Sequence, residues 1–197
     1  VGEVIFGGVG AGFYGMLLYV VLAVFLAGLM VGRTPEYLGK KIEGREVTLS
    51  VIAFLSMPLG ILVFGALAAT VPAALEAVQD PGPHGLSQIH YAYSSATGNN
   101  GSAFAGYGAD LPFHTTLQGI AMMLGRFAFI VPMLAVAGAL SLKTPAPASS
   151  GTFPTHTPLF VVLLIITVVI LGALTFFPVL MLGPIAEHVS MIAGQSF

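Results

Sequence analysis

No cysteine occurs in the 197 residues, which removes disulfides, thiolate metal sites and iron–sulfur clusters from consideration. Charge is nearly as scarce. Only 7% of residues are Asp, Glu, Lys or Arg, against about 25% in soluble domains, so this inventory cannot cover a water-facing surface. Six Lys and Arg stand against eight Asp and Glu, a net charge of −2. That leaves no electrostatic footprint for nucleic acid. The five histidines, His84, His90, His114, His156 and His188, are scattered without ligand spacing and read as turn or interface residues. No nucleophile is grouped with a base inside the apolar segments, which argues against an intramembrane enzyme.

What the chain does contain is apolar surface: 56% hydrophobic residues and a mean hydropathy of +0.97. A helix needs about 20 apolar residues to cross the hydrocarbon core. Residues 4–31, 49–71, 113–142 and 159–182 each supply such a run. Their internal Gly and Pro are tolerated in membranes where neighbouring helices re-satisfy the backbone. Arg33, Lys40, Lys41 and Arg45 follow the first span and Lys143 follows the third, whereas residues 76–112 hold no Lys or Arg. The positive-inside rule therefore puts the 33–45 loop in the cytoplasm and the 76–112 segment outside. Residues 145–158, PAPASSGTFPTHTP, read as an irregular cytoplasmic loop.

The outer segment is longer than a connector requires. Asp80–Gly85, DPGPHG, is a dense turn signal, and Leu86–Thr97 reads as a helix too short to span. The uncharged run SSATGNNGSAFAG, residues 94–106, overlaps its end. Short helix, glycine-rich strand and return to the same side describe a re-entrant pore loop, and non-helical backbone at membrane depth needs protein or a water path around it. Carbonyl oxygens are the ligand such a run supplies in quantity. Glycine lets successive peptides turn toward an axis, aligned carbonyls replace the hydration shell of a monovalent cation, and the preceding helix aims its negative end at the ion. Carboxylates, which calcium or magnesium would want, are absent from the run. A plain extracellular loop is the alternative reading.

Several motifs in order carry a resemblance: GGVGAGFYGM (7–16), GRTPEYLGKKIE (32–43), DPGPHG (80–85), NNGSAFAG (99–106) and SSGTFPTHTPLF (149–160). Together they closely resemble the KdpA family, the potassium-binding, translocating subunits of the Kdp potassium pump. The resemblance covers essentially the whole chain. It implies an all-α membrane protein with four transmembrane helices, some kinked or broken, plus one re-entrant pore helix and filter loop. These would form part of a four-repeat, potassium-channel-like architecture. The chain is similar to the carboxy-terminal part of that family and starts with Val1, so it reads as a fragment. Residues 1–47 would be the second helix of the third repeat and its cytoplasmic loop, and 48–142 the fourth repeat, with pore helix 86–97, filter 98–106 and a helix bearing Arg126. Residues 143–158 would then be a cytoplasmic loop and 159–197 the final transmembrane helix.

By the same resemblance, Asn99, Asn100, Gly101 and Ser102 form the fourth-repeat potassium filter, with Gly101 central. Thr97-Gly98 stands where Ala-Asn is common in the family and Tyr107 where Leu is usual, both at the filter's edges. Arg126, midway along the third apolar run, is costly in lipid, about 2.5–3.5 kcal/mol on insertion scales. The resemblance puts it below the filter, as a charge that blocks leak and diverts ions toward the pump. Glu3 would attract potassium in the inner vestibule. Arg33 reads as an interfacial anchor. Gly8, Gly10 and Gly12 read as helix-breaking or close-packing glycines. The pattern Gly10-Ala-Gly12-Phe-Tyr-Gly15 fits a dinucleotide fingerprint only formally, because a bilayer-length run follows instead of a βαβ unit. Gly39-Lys40-Lys41 lacks the spacing and hydroxyl of a P-loop, so no nucleotide is expected on this chain. Asn100-Gly101-Ser102 is formally a glycosylation sequon, but a sugar would fill the pore that it appears in.

The function implied is potassium translocation as the channel-like subunit of an ATP-driven uptake complex. The chain itself would have no catalytic site, ATP hydrolysis belonging to a KdpB-like P-type ATPase, with KdpC-like and KdpF-like subunits as further partners. The alternative is a passive channel or secondary potassium transporter of the same superfamily. The resemblance implies a multi-pass protein of a bacterial or archaeal plasma membrane.

Overall fold

The computed structural model describes residues 11–102, 105–147 and 149–195. Glu3, Gly8 and Gly10 lie outside the described residues. The described chain is built from helices, with one two-stranded hairpin. Four helical stretches are long and apolar enough to cross a membrane: Gly12–Met30, Gly44–Thr70, Pro112–Ser141 and Pro158–Ile192.

Helix α1 runs over Ala11–Met30. A two-stranded hairpin follows, β1 Glu36–Tyr37 against β2 Lys40–Lys41. Its turn residues Leu38 and Gly39 both have positive φ, 51° and 75°, the backbone twist that short hairpins favour. Helix α2, Gly44–Pro58, begins ahead of the apolar run at Leu49, because Glu46 reaches back to accept the Glu43 N–H at 2.9 Å and caps the first turn. Neither Pro58 nor Gly60 breaks the span. A π-helical turn, Leu59–Val63, absorbs the proline and passes directly into α3, Phe64–Thr70. Single π turns inside α-helices recur at functional sites.

A one-turn helix α4, Pro72–Leu75, leads to α5, Pro83–Gly98. Pro83 sits at the first helical turn, where its missing N–H costs nothing. The helix thus starts three residues before the expected Leu86. Helix α6 covers Pro112–Ser141 and α7 Pro158–Ile192. The last helix continues ten residues past the apolar run that ended at Leu182, through Pro184 and Glu187.

Helix α6 packs most extensively on α2, and α5 lies between α6 and α7. One core joins Leu18 and Tyr19 of α1, Phe54 and Met57 of α2, Phe129 and Val136 of α6 and Val168 of α7. Tyr19 and Phe54 meet edge-on at 4.6 Å. A second core at the hairpin end packs Val20, Val24 and Ala27 against Ile42, Phe153 and Phe160. The third lies at the opposite end, where Ile89 and Tyr93 of α5 meet Ala68, Ala74 and Ala121. Only 17% of the apolar window of α7 is buried, so its outward face is one that lipid would solvate.

The two loops at the hairpin end are tied together. Ala146 N–H donates to the Gly39 carbonyl at 2.7 Å, and Thr34 N–H to that of Gly151 at 2.9 Å. Lys40 Nζ caps the end of α6 on the Leu140 carbonyl at 2.7 Å. Lys143 Nζ contacts Glu46 Oε2 at 2.7 Å, Glu43 Oε2 at 3.1 Å and the Lys41 carbonyl at 2.8 Å. Glu46 is 1% exposed, so this lysine neutralises a carboxylate that water does not reach.

Candidate functional site

The site begins where α5 stops. At 16 residues the helix is about 24 Å long, short of the ~30 Å hydrocarbon core. Its far end is wedged between two spanning helices. Thr97 fills a seat whose walls are Gly60, in the π turn, and Gly125, near the middle of α6. A Cβ on Gly60 would lie 2.6 Å from Thr97 Cγ2, and one on Gly125 would overlap the Thr97 carbonyl oxygen. Both positions require glycine because another helix end occupies the space of their missing side chains.

Asn99 terminates the helix in the left-handed region, φ 57° and ψ 34°, where asparagine is the commonest non-glycine residue. Its Nδ2 donates to the carbonyls of Thr97 at 3.1 Å and Met122 at 3.0 Å, so one amide holds the turn to both α5 and α6. Asn100 N–H returns to the Ser95 carbonyl at 3.1 Å. Gly101 is again left-handed, φ 70°. Ser102 N–H then donates to Ser95 Oγ at 3.0 Å. The chain leaves the helix and doubles back across its last turn.

This brings the four expected filter residues together as one turn. Gly98, placed with the filter on sequence grounds, instead closes the helix. Among the described residues, no hydrogen bond is accepted by the carbonyls of Asn99, Asn100 or Gly101. The Ser102 carbonyl lies 3.4 Å from Ser95 Oγ. Gly101 and Ser102 are exposed and border a cavity of about 310 Å³ with Ser95, Asn99, Gln118 and Met122. The Asn100 side chain is half-buried, and both its polar atoms lack a partner among the described residues.

The return limb is strapped to the turn after α4. Gly106 has φ 89° and packs so closely on Gln79 that a side chain would overlap it. Gly108 N–H donates to the Ala77 carbonyl at 2.9 Å. Between them Tyr107 reaches His114, at the start of α6, with Oη 3.2 Å from Nδ1. Tyr93 of α5 approaches the same Nδ1 at 3.1 Å, and His114 Nε2 lies 2.9 Å from the Ala74 carbonyl. His114 is fully buried. Sequence reasoning counted it among the scattered histidines; Tyr107, noticed as a departure at the filter's edge, was the signal that could have led there.

Arg126 follows Gly125 on α6. Its Nη1 lies 3.4 Å from Tyr14 Oη of α1, and among the described residues it has no ion pair. Tyr14 in turn leans on Phe129, 6.1 Å between ring centroids. Gly12 lies in the first turn of α1. Arg33 donates to the Thr152 carbonyl at 3.4 Å, holding the two loops at the hairpin end. No group of three or more His, Asp or Glu converges as a metal site among the described residues.

Four helices long and apolar enough to span, with a shorter helix ending in a left-handed Asn/Gly turn, fit a multi-pass helical membrane protein. A family model described as KdpA, potassium-transporting ATPase A subunit, matches residues 1–189, and the chain belongs to that family. A potassium-transporting ATPase potassium-binding subunit of Rhodospirillum centenum is 68% identical over 196 residues, covering 100% of this chain and 34% of the relative. Subunits of the same description from Pseudomonas fluorescens and Pseudomonas aeruginosa are each 62% identical, over 97% and 96% of the chain and 34% of each relative. The chain therefore spans about a third of the length of the curated relatives it matches.

Proposed function

We propose that the chain carries potassium across a membrane as part of the channel-like subunit of an ATP-driven uptake complex. In this reading it contributes one of four helix–pore-loop–helix repeats and the final spanning helix, and α5 is the pore helix. The backbone carbonyls of Asn99, Asn100, Gly101 and Ser102 supply one quarter of the ring that replaces water around the ion. Residues 76–112 face outside and the 33–45 loop faces the cytoplasm, in a bacterial or archaeal plasma membrane. The partners are a KdpB-like ATPase, which hydrolyses ATP, and KdpC-like and KdpF-like subunits.

The observation that carries this reading is the seat of Thr97 between Gly60 and Gly125. It holds the end of α5 beside the middle of α6, so the turn that follows lies at membrane depth if α6 spans. Helix end and turn then act together. The C-terminal dipole is worth about half a negative charge, and Gly101 in the left-handed region turns peptide groups that a β-branched residue could not. Arg126 lies one residue from that seat, below the turn, where its charge opposes free passage of cations. Glu3 serves the inner vestibule.

The test is Gly101→Val in the complete complex, read by rubidium-tracer uptake into proteoliposomes with and without ATP. The expected result is an apparent potassium affinity about five- to 150-fold weaker, since a strained φ alone is worth about 1–3 kcal/mol, with assembly intact. Unchanged affinity would remove the tetrad from the ion path. Wild-type uptake that needs no ATP would instead favour a passive channel or secondary transporter.

A further inference from the structure

His114 joins three separate parts of the chain. Tyr93 belongs to α5, Tyr107 to the limb returning from the 99–102 turn, and Ala74 to the one-turn helix α4. The hydrogen-bond roles follow from chemistry. A carbonyl oxygen only accepts, so at 2.9 Å from Ala74 the Nε2 atom carries the proton. Nδ1 then has one lone pair, which the Tyr93 and Tyr107 hydroxyls share at 3.1 and 3.2 Å. Burial pushes the Tyr107 phenol up to about 12, and raises that of Tyr93 also, burial being the larger cause and Tyr107 the lesser. Both hydroxyls therefore keep the hydrogen they donate.

The rings pack as well as bond. Tyr107 and Phe113 meet the imidazole edge-on, at centroid separations of 5.2 and 5.4 Å, and Tyr93 lies tilted at 6.0 Å. Seven residues separate Tyr107 from His114, and Tyr107 stands five residues past Ser102. Tyr107 thus directly follows Gly106, the last residue of the expected filter segment 98–106.

We propose that His114 is a positioning residue for the filter: through Tyr107 and Tyr93 it locks the return limb against the pore helix, so that the ion-facing backbone keeps one geometry. The inference rests on the filter reading above. His114 need not touch the ion; it acts by holding the ring diameter that sets selectivity. A looser limb would let the carbonyls close on a smaller ion or open away from potassium, lowering potassium affinity and discrimination together.

The experiment uses the complete complex in proteoliposomes and compares His114→Leu, His114→Gln and Tyr107→Phe with wild type and Gly101→Val. Apparent KM and maximal rate are measured for potassium, together with the sodium-to-potassium ratio. His114→Leu is expected to raise KM about tenfold and to weaken exclusion of sodium, with the maximal rate within about twofold. Tyr107→Phe, which removes a single hydroxyl, should shift KM about threefold in the same direction. His114→Gln, with an amide that can both donate and accept, should recover most of the loss. The double variant His114→Leu/Tyr107→Phe should be no worse than His114→Leu alone, because the two side chains share one interaction.

If Gly101→Val weakens potassium affinity while His114→Leu and Tyr107→Phe leave KM and ion discrimination unchanged, the positioning role is overturned and the filter reading survives. If the histidine variant only lowers yield or maximal rate, and Tyr107→Phe is silent, His114 is a packing residue and the proposal is equally overturned. If Gly101→Val is itself without effect, the filter reading fails first.

Discussion

The carbonyl oxygen of Thr97 occupies the space that a side chain on Gly125 would need. Contact between the end of α5 and α6 is therefore backbone to backbone at this point, and no rotamer change can relieve an added methyl group. Gly125→Ala is expected to push α5 off its seat at a cost of about 1–3 kcal/mol, read as a lower thermal midpoint of the purified complex. Gly60→Ala meets the Thr97 side chain instead, at 2.6 Å from Cγ2. Adding Thr97→Ala should therefore rescue Gly60→Ala but not Gly125→Ala. Equal rescue of both would contradict the assigned contacts.

Asn99 does two jobs, and substitutions separate them. Its left-handed backbone tolerates glycine, while its Nδ2 bridges the Thr97 and Met122 carbonyls. Asn99→Gly keeps the first and loses the second, at about 1–2 kcal/mol for the two hydrogen bonds. Asn99→Val loses both and adds strain of about 1–3 kcal/mol. Denaturation of the two variants should rank them in that order, with potassium affinity following the same ranking.

Arg126 finds a tyrosine hydroxyl at 3.4 Å as its partner among the described residues. Arg126→Gln should raise passive potassium leak in proteoliposomes without ATP, because a fixed positive charge no longer opposes the cation. Tyr14→Phe removes only the hydroxyl and should change leak by less than about fivefold, the worth of one hydrogen bond. A tight Arg126→Gln complex would show that the charge is not the barrier.

At the hairpin end, Lys143 neutralises Glu46, whose side chain is 2% exposed against 22% for the lysine. Lys143→Met leaves that carboxylate without its counter-ion and should destabilise by about 1–3 kcal/mol, a buried-pair loss reduced by the partial exposure of the lysine. Burial opposes the charge of Lys143, but hydrogen bonds to Glu46 and Glu43 outweigh it and raise its pKa above 10.5. Its contribution to stability is therefore fully present below that value and is lost only as pH rises through the higher folded value. Thermal melts of the wild type from pH 6 to 9 should therefore show no loss of this lysine's contribution.

Much of the fold was legible because membrane spans announce themselves locally. Each apolar run overlaps an observed helix, and Leu86–Thr97 falls inside Pro83–Gly98. Helix ends were harder to read. The start of α2 depends on Glu46 bonding to Glu43, and α7 outlasts its apolar run by ten residues that include Pro184 and Glu187. Hydropathy reads neither. Pro58 and Gly60 lie inside the second apolar run, and there the helix widens to a π turn without ending. The sharp turn at residues 99–102 was legible because glycine and asparagine tolerate the left-handed region, and φ is 57° at Asn99 and 70° at Gly101. The buried histidine could not be found that way.

Composition and order of residues alone determined that this chain belongs in lipid, roughly where its apolar spans lie, and which run has the freedom to turn sharply. Such properties depend on solvation and on torsions within a few peptides. Tertiary structure alone decided that Thr97 sits between Gly60 and Gly125, and that His114 meets Tyr93 and Ala74 from 21 and 40 residues away. Close packing and directional hydrogen bonds select partners by position in space, and no local pattern in the chain encodes that proximity.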